Sequence, residues 1–321
     1  MMDLSASEIT NLMTSYLTNT MASVVTADLL KKAEASDVKE MLELGVKIAD
    51  EEVKGAELFM GRDNRPLPEP FTEKDILRKN SKYYSDNFVI LIKYKLGQDA
   101  LNLYNICFTT AVHPEVIAFY KKMLYMTVEL MEQCTGLLID RGMHQPVIHI
   151  PRNEKSEKIH HQAFLGKLFG KNRSLSAPEV LQLTSNYLST EIYREALSSF
   201  RETETKELQA HFDRGIEMCS KQLESIQNML DKDELPQLPT WESEVDTTSA
   251  PFSERLMLFK IALMAGASAG RFGVSASATL RRDVGATFIK LMGETLLFAE
   301  DTGNLLIKYN MLDEPPLVKE E

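Results

Sequence analysis

The chain has 321 residues, 44% hydrophobic and 26% charged, with a formal net charge of −11. That balance belongs to a folded globular protein rather than a disordered or fibrous one, and an acidic chain lacks the basic faces that displace counterions from nucleic acid. Residues 1–150 hold 16 basic and 21 acidic side chains and residues 175–321 hold 14 and 24, but residues 151–174 hold 6 and 2, so a cationic connector joins two anionic bodies.

The N-terminus MMDLSASEIT has neither a basic n-region nor an apolar h-region, so no secretory signal is expected and a cytosolic location is the default. A first helix is predicted from Ser7 to about Lys32, with Ile9, Leu12, Met13, Tyr16, Leu17, Val24 and Ala27 on one stripe of 3.6-residue period. Ser5 stands three residues before Glu8, the spacing of a capping box. A second helix, about Asp37 to Gly61, buries Val38, Met41, Leu42, Ile48, Ala56 and Phe59. Gly45 lies inside it at a cost of ~0.5–1 kcal/mol, most simply explained by the close approach of a neighbouring helix, with a functional hinge as the alternative.

A proline-containing crossover follows. The third helix opens on Ser85, a good N-cap, and runs to about Val112. The fourth begins at Pro114, a residue suited to the first helical position, and runs to about Arg141. It turns Ile117, Tyr120, Leu124, Thr127, Leu130, Met131, Cys134 and Leu138 inward. The connector, PRNEKSEKIHHQAFLGKLFGKNRS, is expected to be a solvated linker that docks Phe164, Leu165, Leu168 and Phe169 onto a bundle.

Beyond it the pattern starts again. LSASEITNLMTSYL at Leu4 returns as LSAPEVLQLTSNYL at Leu175, a displacement of 171 residues, with Ser176 and Glu179 as a second capping box. Gly215 repeats Gly45, and Ser253 repeats Ser85. The third helix of this copy carries Ala262, Gly266 and Gly270 four apart, which predicts close packing inside the bundle or between the copies. The expected organisation is a four-helix bundle over 1–150, the basic connector over 151–174 and a second four-helix bundle over 175–321. The fold class is all-α, two tandem ferritin-like four-helix bundles made by internal duplication.

Ferritin-like di-metal sites need a Glu-x-x-His pair on each of two helices. Only Glu157 and His160 show that spacing, and they lie in the connector. No Gly-rich phosphate loop, Cys-x-x-Cys, His-Glu-x-x-His or Gly-x-Ser-x-Gly is present, so no catalytic residue and no cofactor is expected. His144, His149, His160 and His161 are the candidates for a single transition-metal site, although connector histidines need no ligand and the local lysines oppose a cation. Tyr16 and Tyr187, Thr127 and Thr295, and Glu132 and Glu300 match between copies. They read either as twin ligand sites or as core hydroxyls beside solvated glutamates. Cys107 and Cys134 stand ~20 Å apart in height on antiparallel helices, beyond disulfide reach, so Cys107, Cys134 and Cys219 are expected as free buried thiols. The most apolar stretch, Leu256 to Gly270, is broken by Lys260 and falls short of the ~20 residues that span a bilayer.

The segment LRRDVGATFIKLMGETLLFAEDTGNLLIKYNMLDEPP, from Leu280 to Pro316, resembles the end of a domain of unknown function repeated in tandem in proteins of endospore-forming bacteria. Arg281, Asp283, Glu300, Asp301, Asn304, Pro315 and Pro316 carry the likeness, and FLGKLFGKNRSLSAPE is similar to that family's interdomain passage. The resemblance implies paired ferritin-like bundles related to spore coat proteins, without an activity or ligand set to carry over. The expected function is a non-enzymatic structural or interaction protein with protein partners, cytoplasmic or spore-associated. The alternative is a ferritin-like metal or small-ligand binder with a noncanonical site.

Overall fold

A computed structural model describes residues 3–144, 148–152, 154–168 and 170–318. Repeat one supplies α1 (Ala6–Lys32), α2 (Ser36–Arg62), α3 (Asp86–Thr110) and α4 (Pro114–Asp140). Repeat two supplies α5 (Ala177–Phe200), α6 (Lys206–Asp231), α7 (Glu254–Ala278) and α8 (Arg282–Lys308). Short 3-10 turns at Glu73–Asp75 and Glu242–Glu244 mark the two crossovers. Among the described residues, extended pairing is confined to the isolated bridges Ile76–Phe252 and Tyr84–Val245. The chain is all-α, with two tandem copies of one four-helix pattern.

Local chemistry sets the helix ends. Both predicted capping boxes form, Ser5 with Glu8 and Ser176 with Glu179. The hydroxyls of Ser85 and Ser253 accept from the backbone N–H of Phe88 and Leu256. Past the second helix of each repeat the backbone turns left-handed at Asn64 and Glu234, and past the fourth at Gly142 and Asn310. That conformation costs roughly 1–2 kcal/mol for an ordinary L-residue, so Glu234 is the least comfortable of the four.

The chain divides into two compact units. The first comprises residues 1–144, 244–257 and 306–321, and the second 145–243 and 258–305. In the first, α1 packs on α2, α3 on α4, and α2 on α4, around Leu12, Tyr16, Ala56, Phe59, Tyr104 and Tyr120. In the second, α5 packs on α6, around Leu183, Tyr187, Ile226, Leu230, Phe272 and Phe288. All three cysteines are free and buried.

Three expectations need correction. The predicted stripe of α1 is offset, because Ile9, Met13, Leu17, Val24 and Ala27 are only half-buried while Glu8, Asn11, Ser15, Asn19 and Thr26 are buried. A helix enclosed on most sides buries a polar seam when hydrogen bonds satisfy it. Gly266 and Gly270 are exposed, and among the described residues nothing outside their chain neighbours and own helix backbone lies within 4 Å of where their Cβ atoms would stand, so no described neighbour packs closely on them. In the connector Phe164 and Leu165 are half-buried but Leu168 is exposed; Phe169 lies outside the described residues. Arg173 stacks 4.1 Å over the Phe164 ring and donates to its carbonyl at 2.8 Å.

Helix α7 is long and apolar enough to cross a membrane, and half of its most apolar 18-residue window is buried inside the fold. The apolar stretch expected to fall short of a bilayer span is thus part of a helix of 25 residues that does not.

Candidate functional site

Among the described residues, buried polar groups stand out in four places. At the entry of α1, Glu8 is buried and its Oε1 accepts from the N–H groups of Val112 and His113 at 3.0 and 2.8 Å. Its Oε2 accepts from the Ser5 N–H and hydroxyl and meets His113 Nδ1 at 2.9 Å. Burial alone would raise this carboxyl, but the hydrogen bonds from His113 and Ser5 prevail and bring it down to about 2. One side chain therefore fastens the start of the first helix to the turn between the third and fourth.

Repeat two builds the same fastener from different partners. Glu179 accepts from the Arg281 N–H, from Ser176 and from both Nη atoms of Arg173, all at 2.8 Å. It too is brought to about 2 against the cost of burial. Arg281 is buried, forks onto Asp283 at 3.0 and 2.8 Å, and reaches Asp233 at 3.2 Å. The Arg-x-Asp element visible in the sequence is thus part of a closed network. Its donors point at its own chain.

The second place is the centre of the repeat-one bundle, where α1 contributes Ser15 and Asn19, α2 Glu52, α3 Tyr104 and Cys107, and α4 Tyr120. Ser15 and Tyr120 share a hydrogen bond at 3.2 Å, and Asn19 donates to Tyr104 at 3.4 Å. Glu52 is fully buried, and neither carboxyl oxygen meets hydrogen-bond geometry with a described residue. Burial pushes its carboxyl up to about 8, with only Ser15 favouring the charged form, so at neutral pH it holds its proton. The Cys107 thiol is pushed up to about 12 by burial and by the same carboxyl, which makes it a poor nucleophile.

Third, Lys93 is buried beside Thr26, to whose hydroxyl it donates. Burial lowers its ammonium to about 8. Fourth, in repeat two, the buried Glu191 and Glu195 flank a half-buried Arg194 with N–O separations of 2.8 and 2.7 Å. Glu191 also accepts from the Trp241 N–H at 3.0 Å, yet burial dominates and raises it to about 7. Nearby in that unit, His211 stacks on Phe298 with ring centroids 4.3 Å apart. Its Nδ1 takes a hydrogen bond from Arg214 at 3.0 Å, so the ring proton sits on Nε2 and is donated to Thr302 at 2.9 Å. Burial first, and Arg214 second, lower this histidine to about 4.

The residues singled out in the sequence are placed as follows. Tyr16, Tyr187, Thr127 and Thr295 are buried, while Glu132 and Glu300 are exposed. Thr127 and Thr295 donate to the carbonyls of Met123 and Leu291, each four residues back, and Thr295 also accepts from Gln222 at 3.1 Å. His144, His149, His160 and His161 are all exposed, and no group of three His, Cys, Asp or Glu side chains able to hold a metal comes together among the described residues. Sequence reasoning passed over Glu52, Lys93, Glu191 and His211. The available signal was a polar residue at a core register, as with Glu52 seven positions after Gly45 on one face of α2.

An all-α chain with duplicated helix fasteners and two polar cores defines a tandem-bundle protein. The family model for a protein of unknown function, DUF3231, matches it twice, over residues 2–158 and 163–321. The chain belongs to that family. No curated protein matches it. Among solved structures it is similar to one from Bacillus halodurans C-125 described as a "putative spore coat protein", with a TM-score of 0.42 and 15% identity over 46% of this chain and 98% of that one.

Proposed function

We propose that this is a non-enzymatic structural or interaction protein, built from two ferritin-like bundles over 1–150 and 175–321 and associated with the spore. One observation carries the structural reading: the matched carboxylates Glu8 and Glu179 are engaged in fastening helix ends, and the Arg281–Asp283 motif closes on the same junction. Groups held this way stabilise a scaffold and are not free to meet a substrate. The spore assignment is supported by the resemblance of the Leu280–Pro316 segment to proteins of endospore formers. Quantifying the protein in washed coat fractions, spore core and vegetative cells tests it. Enrichment in coat is expected, and a purely vegetative distribution removes the spore assignment.

A second reading, a small-ligand or metal binder with a noncanonical site, is favoured by Glu52, whose buried carboxyl oxygens meet hydrogen-bond geometry with no described residue and have only Ser15 beside them to favour the charged form. A buried polar group in that condition costs roughly 1–3 kcal/mol until something bonds to it. Native mass spectrometry of tag-free protein separates the readings, since a stoichiometric added mass supports a binder and the bare polypeptide mass supports a scaffold.

A further inference from the structure

The two crossovers bond to each other, and three of the bonds recur with the roles reversed, while Arg78 adds bonds to Pro251, Asp246 and Ser249 from one side only. Asp75, Ile76 and Leu77 correspond to Glu244, Val245 and Asp246 at a displacement of 169 residues, and Tyr83, Tyr84 and Ser85 to Pro251, Phe252 and Ser253 at 168. The Leu77 N–H donates to the Pro251 carbonyl at 2.8 Å, and the Asp246 N–H to the Tyr83 carbonyl at 2.9 Å. The Ser253 N–H donates to the Asp75 carbonyl at 2.8 Å, and the Ser85 N–H to the Glu244 carbonyl at 2.9 Å. The Ser253 hydroxyl donates to Asp75 Oδ1 at 2.6 Å, and the Ser85 hydroxyl to Glu244 Oε2. Ile76 bridges Phe252, and Tyr84 bridges Val245.

When residue i meets j and the equivalent of j meets the equivalent of i, the interface is isologous, the kind two identical subunits make about a two-fold axis. Here both participants lie on one chain and within one compact unit, which takes residues 1–144 from repeat one and 244–257 from repeat two. The junction is also aromatic at its centre. Tyr83, Tyr84 and Phe252 are fully buried, with the Tyr83 ring 4.7 Å from that of Tyr84 and 5.3 Å from that of Phe252. Because Ser85 and Ser253 cap α3 and α7, the crossover of one repeat fixes the third-helix start of the other.

We propose that the crossover is an association surface whose partner is a second copy of the same repeat, and that it holds the two repeats together without the connector. The proposal stands whether or not the protein reaches a spore. It is tested on the full chain carrying a protease site between Lys158 and Ile159, both exposed, cleaved after purification and weighed by native mass spectrometry and light scattering. A single particle containing both fragments is expected. Separation of the fragments overturns the proposal.

A second variant assigns the association to this surface. Leu77→Pro with Asp246→Pro removes two reciprocal backbone donors, and with the second the carboxylate that pairs with Arg78. It is expected to weaken association of the cleaved halves about 30-fold or more, at ~1 kcal/mol for each backbone hydrogen bond and about 1.4 kcal/mol per factor of ten, with helicity retained. Unchanged association overturns the assignment to the crossover even if the halves stay together. Should that variant lose helicity, Asp75→Ala with Glu244→Ala removes the two carboxylates that accept from the Ser253 and Ser85 hydroxyls while leaving those serines to cap α7 and α3. The same criterion then applies, weakening supporting the proposal and unchanged association overturning it.

Discussion

The centres of the two bundles occupy matched positions but carry different chemistry. Ser15, Glu52, Cys107 and Thr127 of repeat one stand where Asn186, Gln222, Ser275 and Thr295 stand in repeat two. In repeat two the neutral set is joined, with Asn186 donating to Ser275 at 2.7 Å, Ser275 to Gln182 at 2.7 Å and Gln222 to Thr295 at 3.1 Å. In repeat one the carboxyl of Glu52 lacks such partners. The bundle centre accepts polar residues provided they are neutral, and repeat one meets that condition by keeping a proton that an exposed glutamate would lose.

The largest expected effect comes from removing that proton-dependent difference. Glu52 ionises near 4.5 when unfolded but at about 8 when buried, so the folded state binds the extra proton and stability falls as pH rises from about 4.5 to 8. A shift of that size corresponds to at most about 5 kcal/mol. Glu52→Gln, which writes the repeat-two residue into repeat one, is expected to melt higher than the parent at pH 8, with the gap closing toward pH 5. Parallel melting curves across that range would show that Glu52 is not buried in a dry site. Lys93 does not confuse the result: its ammonium is lowered to about 8, so its penalty is constant below pH 8 and relieved only between 8 and 10.5.

Next in size is the contrast between the fasteners. Glu179→Ala strands the half-buried Arg173 guanidinium and the Arg281 N–H, while the Arg281 guanidinium keeps Asp283 and Asp233, and with a charge-assisted pair lost it is expected to cost about 2–4 kcal/mol. Glu8→Ala strands two backbone N–H groups but no guanidinium, and about 1–3 kcal/mol is expected. Chemical denaturation of both variants checks the order. Since both carboxylates are lowered to about 2, the stability they contribute is complete above pH 4.5 and is lost as pH falls through about 2. Acid unfolding in either variant should therefore be shallower than in the parent.

How far these features were legible follows from their range along the chain. Helix ends were readable because Ser5, Ser176, Ser85 and Pro114 act on neighbours three or four residues away. The buried seam of α1 was hidden, because Glu8, Asn11, Ser15 and Asn19 have helical spacing but the polarity of a solvated face. Only the recurrence of polar residues at Glu179, Gln182, Asn186 and Thr190 hinted that this register was internal. Arg281 and Asp283 were noticed as a motif, while their role depends on Glu179, 102 residues away in sequence from Arg281. The crossover exchange had no signature, since backbone N–H and carbonyl groups are common to every residue.

The recurrent glycines give the finest comparison. Both were expected to admit a neighbouring helix, but the room they provide differs. A Cβ at Gly215 would stand 2.7 Å from the Phe298 ring and 3.0 Å from Leu197, whereas one at Gly45 would meet Thr26 Cγ2 at 3.4 Å and Lys93 Nζ at 3.7 Å. The first set of distances demands that a packed ring move, and forcing a methyl group into a filled core costs about 1–3 kcal/mol. The second is ordinary contact, and replacing a mid-helix glycine by alanine gains roughly 0.5–1 kcal/mol. Gly215→Ala should therefore lower the melting temperature and Gly45→Ala raise it slightly. A loss at Gly45 of the same size as at Gly215 would mean that Lys93 cannot shift, and that the buried ammonium rather than the helix backbone is what that glycine accommodates.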